Sequence, residues 1–488
     1  VLEPGDEVLL DGNTRYIGGN LLLNGDFDMG LYLWANGEGA PLAEPLFQVV
    51  PFGGIDGGSY LQAYGNGSIR TASSVKTIVD ILPSTDYYAS GANCNSGYSA
   101  TFSFTTDDGA SLVSDPLACV LDNSTAVWNT KFNAFNSGNY QQVVVALRSL
   151  QCKAQYDKLL LAQLFETKAE AVADGVAKAR MKGEALADYL AGENLILDIS
   201  ADLRQRLQAV SGTDQAALTQ ITQLLSDALR AADIAREYSL LTQDMTYLLE
   251  LLQLGAVDMM VGDMTIDGVL NIYEQHQAML ADLMPLTPVS GAVKSPTFNA
   301  TTGWETKTGT YVGGDQRTNN NGEYNFWNAW WSNVAASEGT AKTMGIRQRI
   351  DGLTHGLYAV RCLATTEDFC LSDQHAYITA GSQTATSHPL TANYFDLPTV
   401  SKEDRWETLT SRPVYVAEDG SVTIGFIGSK EGATDNMWTK IGDASSTGDM
   451  REGWWCATTF ELLHAPLYQL TDAPTDQWQV ICLPYAIT

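Results

Sequence analysis

No proline occurs between Pro116 and Pro285, and no tryptophan between Trp128 and Trp304. Proline removes a backbone donor and breaks helix interiors, so a long proline-free stretch inside a proline-bearing chain marks where continuous helices can form. Within that window Val172, Val176, Ala179, Gly183, Leu186 and Leu190 recur at helical spacing, as do Ile196, Ile199, Leu203, Leu207 and Val210. A third set runs Leu218, Ile221, Leu225, Leu229 and a fourth Leu248, Leu251, Leu252. Amphipathic helices follow, punctuated at Gly192, at 211–214 and at Gly255, with a last helix over Ile266–Leu283 that stops at Pro285. Outside the window the chain is rich in Gly, Asn, Thr and aromatics. The runs beginning at Thr101, Gln141, Leu357 and Val422 alternate as strands do, with turn signals at Asp108-Gly109 and Asp419-Gly420. The spacing is that of an all-β sandwich.

The expected architecture is therefore multidomain α+β, with two antiparallel β-sandwich domains separated by an all-α helical bundle. The boundaries fall at 1–165, 166–285 and 286–466, with 467–488 opening a further β module that stops abruptly. The run after Trp478 has the look of a first strand, which predicts a fragment whose last strand docks on a neighbouring sheet. The joints at 164–168 and 284–290 lack flexible Gly/Ser tethers, and Pro285 and Pro288 stiffen the second. A semi-rigid rod is expected, with the bundle setting the distance between the sandwiches. A compact globule is the alternative.

Composition narrows the partners. Of 488 residues, 28 are basic and 57 acidic, a formal charge of −29. That imbalance argues against nucleic acid and anionic membrane as partners, because little would neutralise phosphates. No apolar run reaches the ~20 residues of a membrane span. The seven cysteines contain no Cys-x-x-Cys pair, which leaves mostly buried thiols, with Cys362–Cys456 as the most plausible disulfide.

The two β parts share an order of motifs. Asn24-Gly-Asp-Phe-Asp precedes Trp34 in the first, and Phe298-Asn299 precedes Trp304 in the second. The second continues with Gln348-Arg-Ile-Asp-Gly-Leu-Thr-His-Gly-Leu-Tyr-Ala-Val, and each part ends on an apolar strand. This order resembles the jelly-roll, galactose-binding-like carbohydrate-binding modules of secreted and surface proteins from glycan-foraging bacteria. The resemblance covers about two thirds of the chain and implies two such domains. It also implies an extracellular or outer-surface location, with any targeting segment removed before Val1. By the same resemblance a structural calcium ion would sit between the opening turn and the closing strand of the first sandwich, on Asp26, Asp28 and Asp157.

Sugar binding needs flat aromatic faces beside amides and carboxylates. The densest supply is Tyr324, Trp327, Trp330 and Trp331 with Asn328 and Asn333, joined by Trp438 and Trp454. Adjacent Trp330 and Trp331 cannot both face inward on a strand, so one is expected at the surface. Core packing is the plainer alternative for these rings. Tyr32, Trp34, Tyr60, Tyr64 and Trp128 supply the first domain more thinly. The stretch from Asp263 to Glu274 also matches a calcium loop, with Asp263, Thr265, Asp267, Asn271 and Glu274 at ligand positions. The competing reading is a helix cap at Asp263 or Thr265. No Gly-x-Ser-x-Gly, His-Glu-x-x-His or P-loop occurs. The expected function is non-catalytic glycan binding with the bundle as spacer. A structural or adhesive surface protein that contacts other proteins is the alternative, and a glycoside hydrolase of unfamiliar type the lesser one.

Overall fold

The computed structural model describes residues 2–36, 47–50, 53–64, 73–95, 100–105, 117–119, 128–149, 153–252, 265–307, 312–318, 324–331, 343–366, 373–390, 406–429 and 454–467. Among these it is a mostly β protein with four helices. No described helix is long and apolar enough to cross a membrane.

Before the helices, a seven-stranded antiparallel sheet is built around the long strand Lys153–Phe165, which pairs with Asn13–Asn20, Tyr60–Tyr64 and Asp86–Asn95. A five-stranded sheet centred on Gln142–Ser149 lies against it. Val75, Val143, Val145 and Leu147 of the smaller sheet share one buried cluster with Leu61, Tyr87, Tyr156 and Leu161 of the larger. Alternate residues of both sheets meet in one core, which is what defines a sandwich. After the helices the arrangement recurs. A seven-stranded sheet is built around Trp454–Pro466, and a five-stranded sheet is centred on Gly420–Ser429. Trp327, Val360, Cys362, Trp455 and Phe460 of the larger sheet share a core with Ile346, Ile378, Ile424 and Phe426. In each sandwich an opening aromatic stacks near a Trp, Phe27–Trp34 at 5.5 Å and Phe298–Trp304 at 5.0 Å. Each Trp indole donates to a backbone carbonyl, of Asn24 and of Lys294.

The helices are α1 (Lys168–Gly192), α2 (Ser200–Ala209), α3 (Gln215–Leu251) and α4 (Ile266–Leu283). Thr167 and Asp214 cap α1 and α3 through side-chain oxygens. Val172, Val176, Gly183, Leu186 and Leu190 are buried as their spacing predicts. Gly183 permits a close approach, since a Cβ there would stand 2.6 Å from Leu207 Cδ1. The third and fourth apolar sets belong to one continuous helix, α3, because neither Gly nor Pro interrupts 215–251. Ile196 departs from the expected stripe, lying 39% exposed in the turn before α2.

Two expectations are corrected. Cys362 lies in the sandwich core while Cys456 lies on the opposite face of the same sheet, beside Phe326 and Trp406. The register pairs Cys456 with Thr365 and Cys362 with Leu409, so no disulfide can join them. Burial pushes the Cys362 thiol well above its ordinary pKa. The calcium loop at 263–274 is a helix over most of its length. Thr265 caps α4, its Oγ1 accepting from Gly268 N at 3.0 Å. Asp267, Asn271 and Glu274 therefore run along a helix and, at ~1.5 Å rise per residue, spread over about 10 Å instead of converging. Asp267 meets Arg206 at 2.7 Å, Asn271 accepts from Gln275, and Asp263 lies outside the described residues.

Candidate functional site

The strand Asn325–Trp331 shows where the second sandwich could bind a ligand. Trp327 and Ala329 point into the sandwich core, whereas Phe326 and Asn328 face away from it. The neighbouring strands alternate in the same way, so Leu363 and Cys456 join Phe326 on the outward face. Trp406, just ahead of the strand Glu407–Thr410, completes the cluster. Its ring centroid stands 5.5 Å from Phe326 and 5.3 Å from half-buried Tyr324.

Polar groups frame these rings. Asn328, 7% exposed, accepts from Cys456 Sγ at 3.4 Å. Thr458, at the position after Ala457, turns its hydroxyl onto the backbone carbonyl of Asn325 at 2.5 Å. Further along the face Arg361 and Glu461 form a two-nitrogen ion pair at 2.6 and 2.8 Å. Phe326 and Trp406 are buried, so the groups of this face open to a sugar are the half-buried Tyr324 ring for its C–H face and the Arg361–Glu461 pair for its hydroxyls.

The sequence-derived residues divide as follows. Tyr324 and Asn328 belong to this face. Trp327 does not: it packs between the two sheets, 6.3 Å from Phe298, so it is a core residue and the expectation for it is corrected. Trp330, Trp331 and Trp454 are described in backbone only, with Trp330 paired to Gly313 and to Trp454. Asn333 and Trp438 lie outside the described residues. Trp406 and Phe326 were not singled out from sequence. The signal available for Trp406 was its position immediately before a strand.

The first sandwich carries a parallel arrangement. Tyr60 and Gln62 flank core residue Leu61 and so face outward, and Gln62 pairs in register with Gln155, as Asn328 does with Cys456. Trp128, directly before the strand Asn129–Asn136, stands 5.8 Å from Tyr60 edge to face. Both polar side-chain atoms of Gln155 are buried without a hydrogen-bond partner. Of the other aromatics, Trp34 is core, and Tyr32 faces Tyr189 of α1 at 5.8 Å. A separate cleft of about 440 Å³ at the turn end of this sandwich is lined by Leu82, Pro83, Tyr140 and Gln142.

The calcium residues of the first sandwich are already engaged. Asp26 Oδ2 is bonded by Lys182 Nζ of α1, which also lies 3.9 Å from Asp28 Oδ2. Asp157, fully buried, accepts from Ile55 N at 2.9 Å and Lys158 N at 2.6 Å. Burial and then the neighbouring Asp26 charge push Asp28 up to about 7. Burial likewise pushes Asp157 up to about 7 against the pull of Lys158. Burial raises Asp26 too, but the Lys182 ammonium overrides it and holds that carboxyl below its ordinary range. One oxygen, Asp26 Oδ1, is buried without a partner, whereas calcium takes six to eight. No three acidic, His or Cys side chains among the described residues are placed to hold a metal ion. These residues do not fit a calcium ion.

No family model matches the chain, and no curated protein matches it. Several solved structures are weakly similar. TmCBM61 in complex with β-1,4-galactotriose is 15% identical, with 36% of this chain and all of that one covered at a TM-score of 0.23. The CBM22-1–CBM22-2 tandem domain of Paenibacillus barcinonensis Xyn10C is 7% identical, with 95% and 99% covered at 0.23. A family 16 carbohydrate-binding module is 15% identical, with 29% and 99% covered at 0.22. At such scores a likeness carries neither a fold nor a ligand across to this chain.

Proposed function

We propose that this chain is a non-catalytic, extracellular or surface-attached glycan-binding protein. Its second sandwich takes sugar on the outward face of the seven-stranded sheet. The observation that carries this reading is the cluster of Tyr324, Phe326 and Trp406 on the side of the sheet turned away from the core, with Asn328 beside it. Phe326 and Trp406 are themselves 5% and 7% exposed and pack together, so half-buried Tyr324 is the ring of this cluster that a ligand can reach. A pyranose ring laid against Tyr324, which Trp406 supports from behind, would bury its C–H face, while Arg361 and Glu461 would exchange hydrogen bonds with its hydroxyls.

In this reading the two sandwiches, 1–165 and 286–466, are versions of one module, and the bundle between them is a spacer. The parallel Phe–Trp pairs and the parallel outward faces support that view. A glycan array with the full chain tests the function. Binding should appear for the wild type and fall away in Tyr324→Ala and Trp406→Ala. An array with no binding at all would favour the second reading, a protein-contact role. What speaks for that role is Phe132, stacked on Tyr88 at 5.7 Å and yet 67% exposed.

A further inference from the structure

Helix α1 lies against the opening turn of the first sandwich along much of its length. Asp174 Oδ2 accepts from Gly19 N at 2.9 Å, and Met29, at the end of the turn, is wholly buried in the bundle's core cluster. Two turns further along α1 from Asp174, Lys182 reaches the carboxylates of Asp26 and Asp28. All three side chains are only 20–24% exposed, so the group is largely shielded from solvent. On the closing strand, Lys158 pairs with Asp56 at 2.9 Å beside the backbone-bonded Asp157. Every carboxylate that the resemblance would assign to a metal thus has a partner supplied by the chain itself.

We infer that Lys182 is a built-in cation: its ammonium neutralises the Asp26–Asp28 turn in place of a divalent metal and pins that turn to helix α1. A single ammonium can do this because it donates three hydrogen bonds and carries its charge on a tether already ordered by the helix. An ion would have to be captured from solution and would need several more oxygens than the turn presents. The first sandwich then depends for its stability on the helical part, and not on the calcium concentration outside. This inference is independent of sugar binding.

Thermal unfolding of the full chain, with and without chelator, tests it. For the wild type, excess EDTA or millimolar calcium should move Tm by less than about 1 °C, while Lys182→Met should lower Tm by about 3–5 °C. In Lys182→Met millimolar calcium should not restore the lost Tm, because the turn still presents too few oxygens to hold the ion. Lys182→Arg, which keeps the charge, should stay within about 2 °C of wild type and decides the point if Lys182→Met does not fold. A wild-type Tm that falls several degrees in EDTA would overturn the inference. So would stoichiometric calcium uptake by the wild type in equilibrium dialysis, or an unchanged Tm in Lys182→Met.

Discussion

Asp157 sits in an environment far from what its type suggests. It is a carboxylate at zero exposure in the middle of a sheet, pushed up to about 7 by burial. A raised carboxyl pKa means that the folded state holds its proton more tightly than the unfolded chain. The associated stability is complete below pH ~4 and is lost as pH rises from there through about 7, at up to about 1.4 kcal/mol per pH unit. Urea unfolding should therefore show lower stability at pH 8 than at pH 5, and Asp157→Asn should reduce that slope, leaving the share of Asp28. A wild-type stability that rises between pH 5 and 8 with the same slope in Asp157→Asn would contradict the assignment. Sequence marked Asp157 as notable through the resemblance, but not its burial. What distinguishes it is two backbone donors, Ile55 N and Lys158 N, and Ile55 is about a hundred residues away.

At the scale of elements, the periodic signals read well and the choice of face read poorly. The strands expected near Thr101, Gln141, Leu357 and Val422 are present as Ala100–Thr105, Gln142–Ser149, Gly356–Thr366 and Gly420–Ser429. The last helix has the expected ends, because a threonine cap and Pro285 fix both locally. Period-two alternation shows that Trp327 and Asn328 face opposite ways, but not which way is inward. That depends on the pairing with the strand Trp454–Pro466 and on the opposing sheet. The calcium-loop motif misled for a related reason: its residue types fit a loop, but the apolar spacing of Val269 and Ile272 buries them in the bundle and enforces a helix. Helix crossings give a prediction at this scale. Gly183→Leu should destabilise the protein by about 1–3 kcal/mol, since Leu207 and Leu225 already occupy the space a side chain would need. Chemical denaturation measures it, and a change below about 0.5 kcal/mol would show that α1 and α2 are less closely packed than described.

For the whole molecule, the joints are structured. Asp244 of α3 holds Arg412 at 2.8 Å and His388 at 3.1 Å in the second sandwich, and Tyr247 donates to Pro413 O at 2.7 Å. Leu248 packs with Leu357 and Ala465 across the same joint. Burial alone would raise the Asp244 carboxyl, but its bonds to His388 and Arg412 outweigh that and hold it below 3.8. Because this pKa is depressed, the clamp is fully formed above pH ~4 and weakens only as pH falls through the lowered value. Asp244→Ala should loosen the joint at neutral pH, seen as faster amide exchange at Val414–Val416, and unchanged exchange there would argue that the apolar contacts suffice. With α1 fixed to the first sandwich and a 37-residue α3, about 55 Å long, fixed to the second, an extended and semi-rigid particle is expected. Small-angle scattering should give a radius of gyration well above the ~23 Å of a compact chain of this length, and a value near ~23 Å would support the globule.

The central claim is that the outward sheet face of the second sandwich binds glycan. Isothermal titration of the full chain with the strongest array ligand tests it most directly, with Trp406→Ala as the comparison and circular dichroism to confirm that both remain folded. The account predicts saturable binding by the wild type and at least about a tenfold loss in Trp406→Ala, the ~1.4 kcal/mol expected when the ring that supports Tyr324 is removed. Equal affinity in a folded Trp406→Ala protein would contradict it.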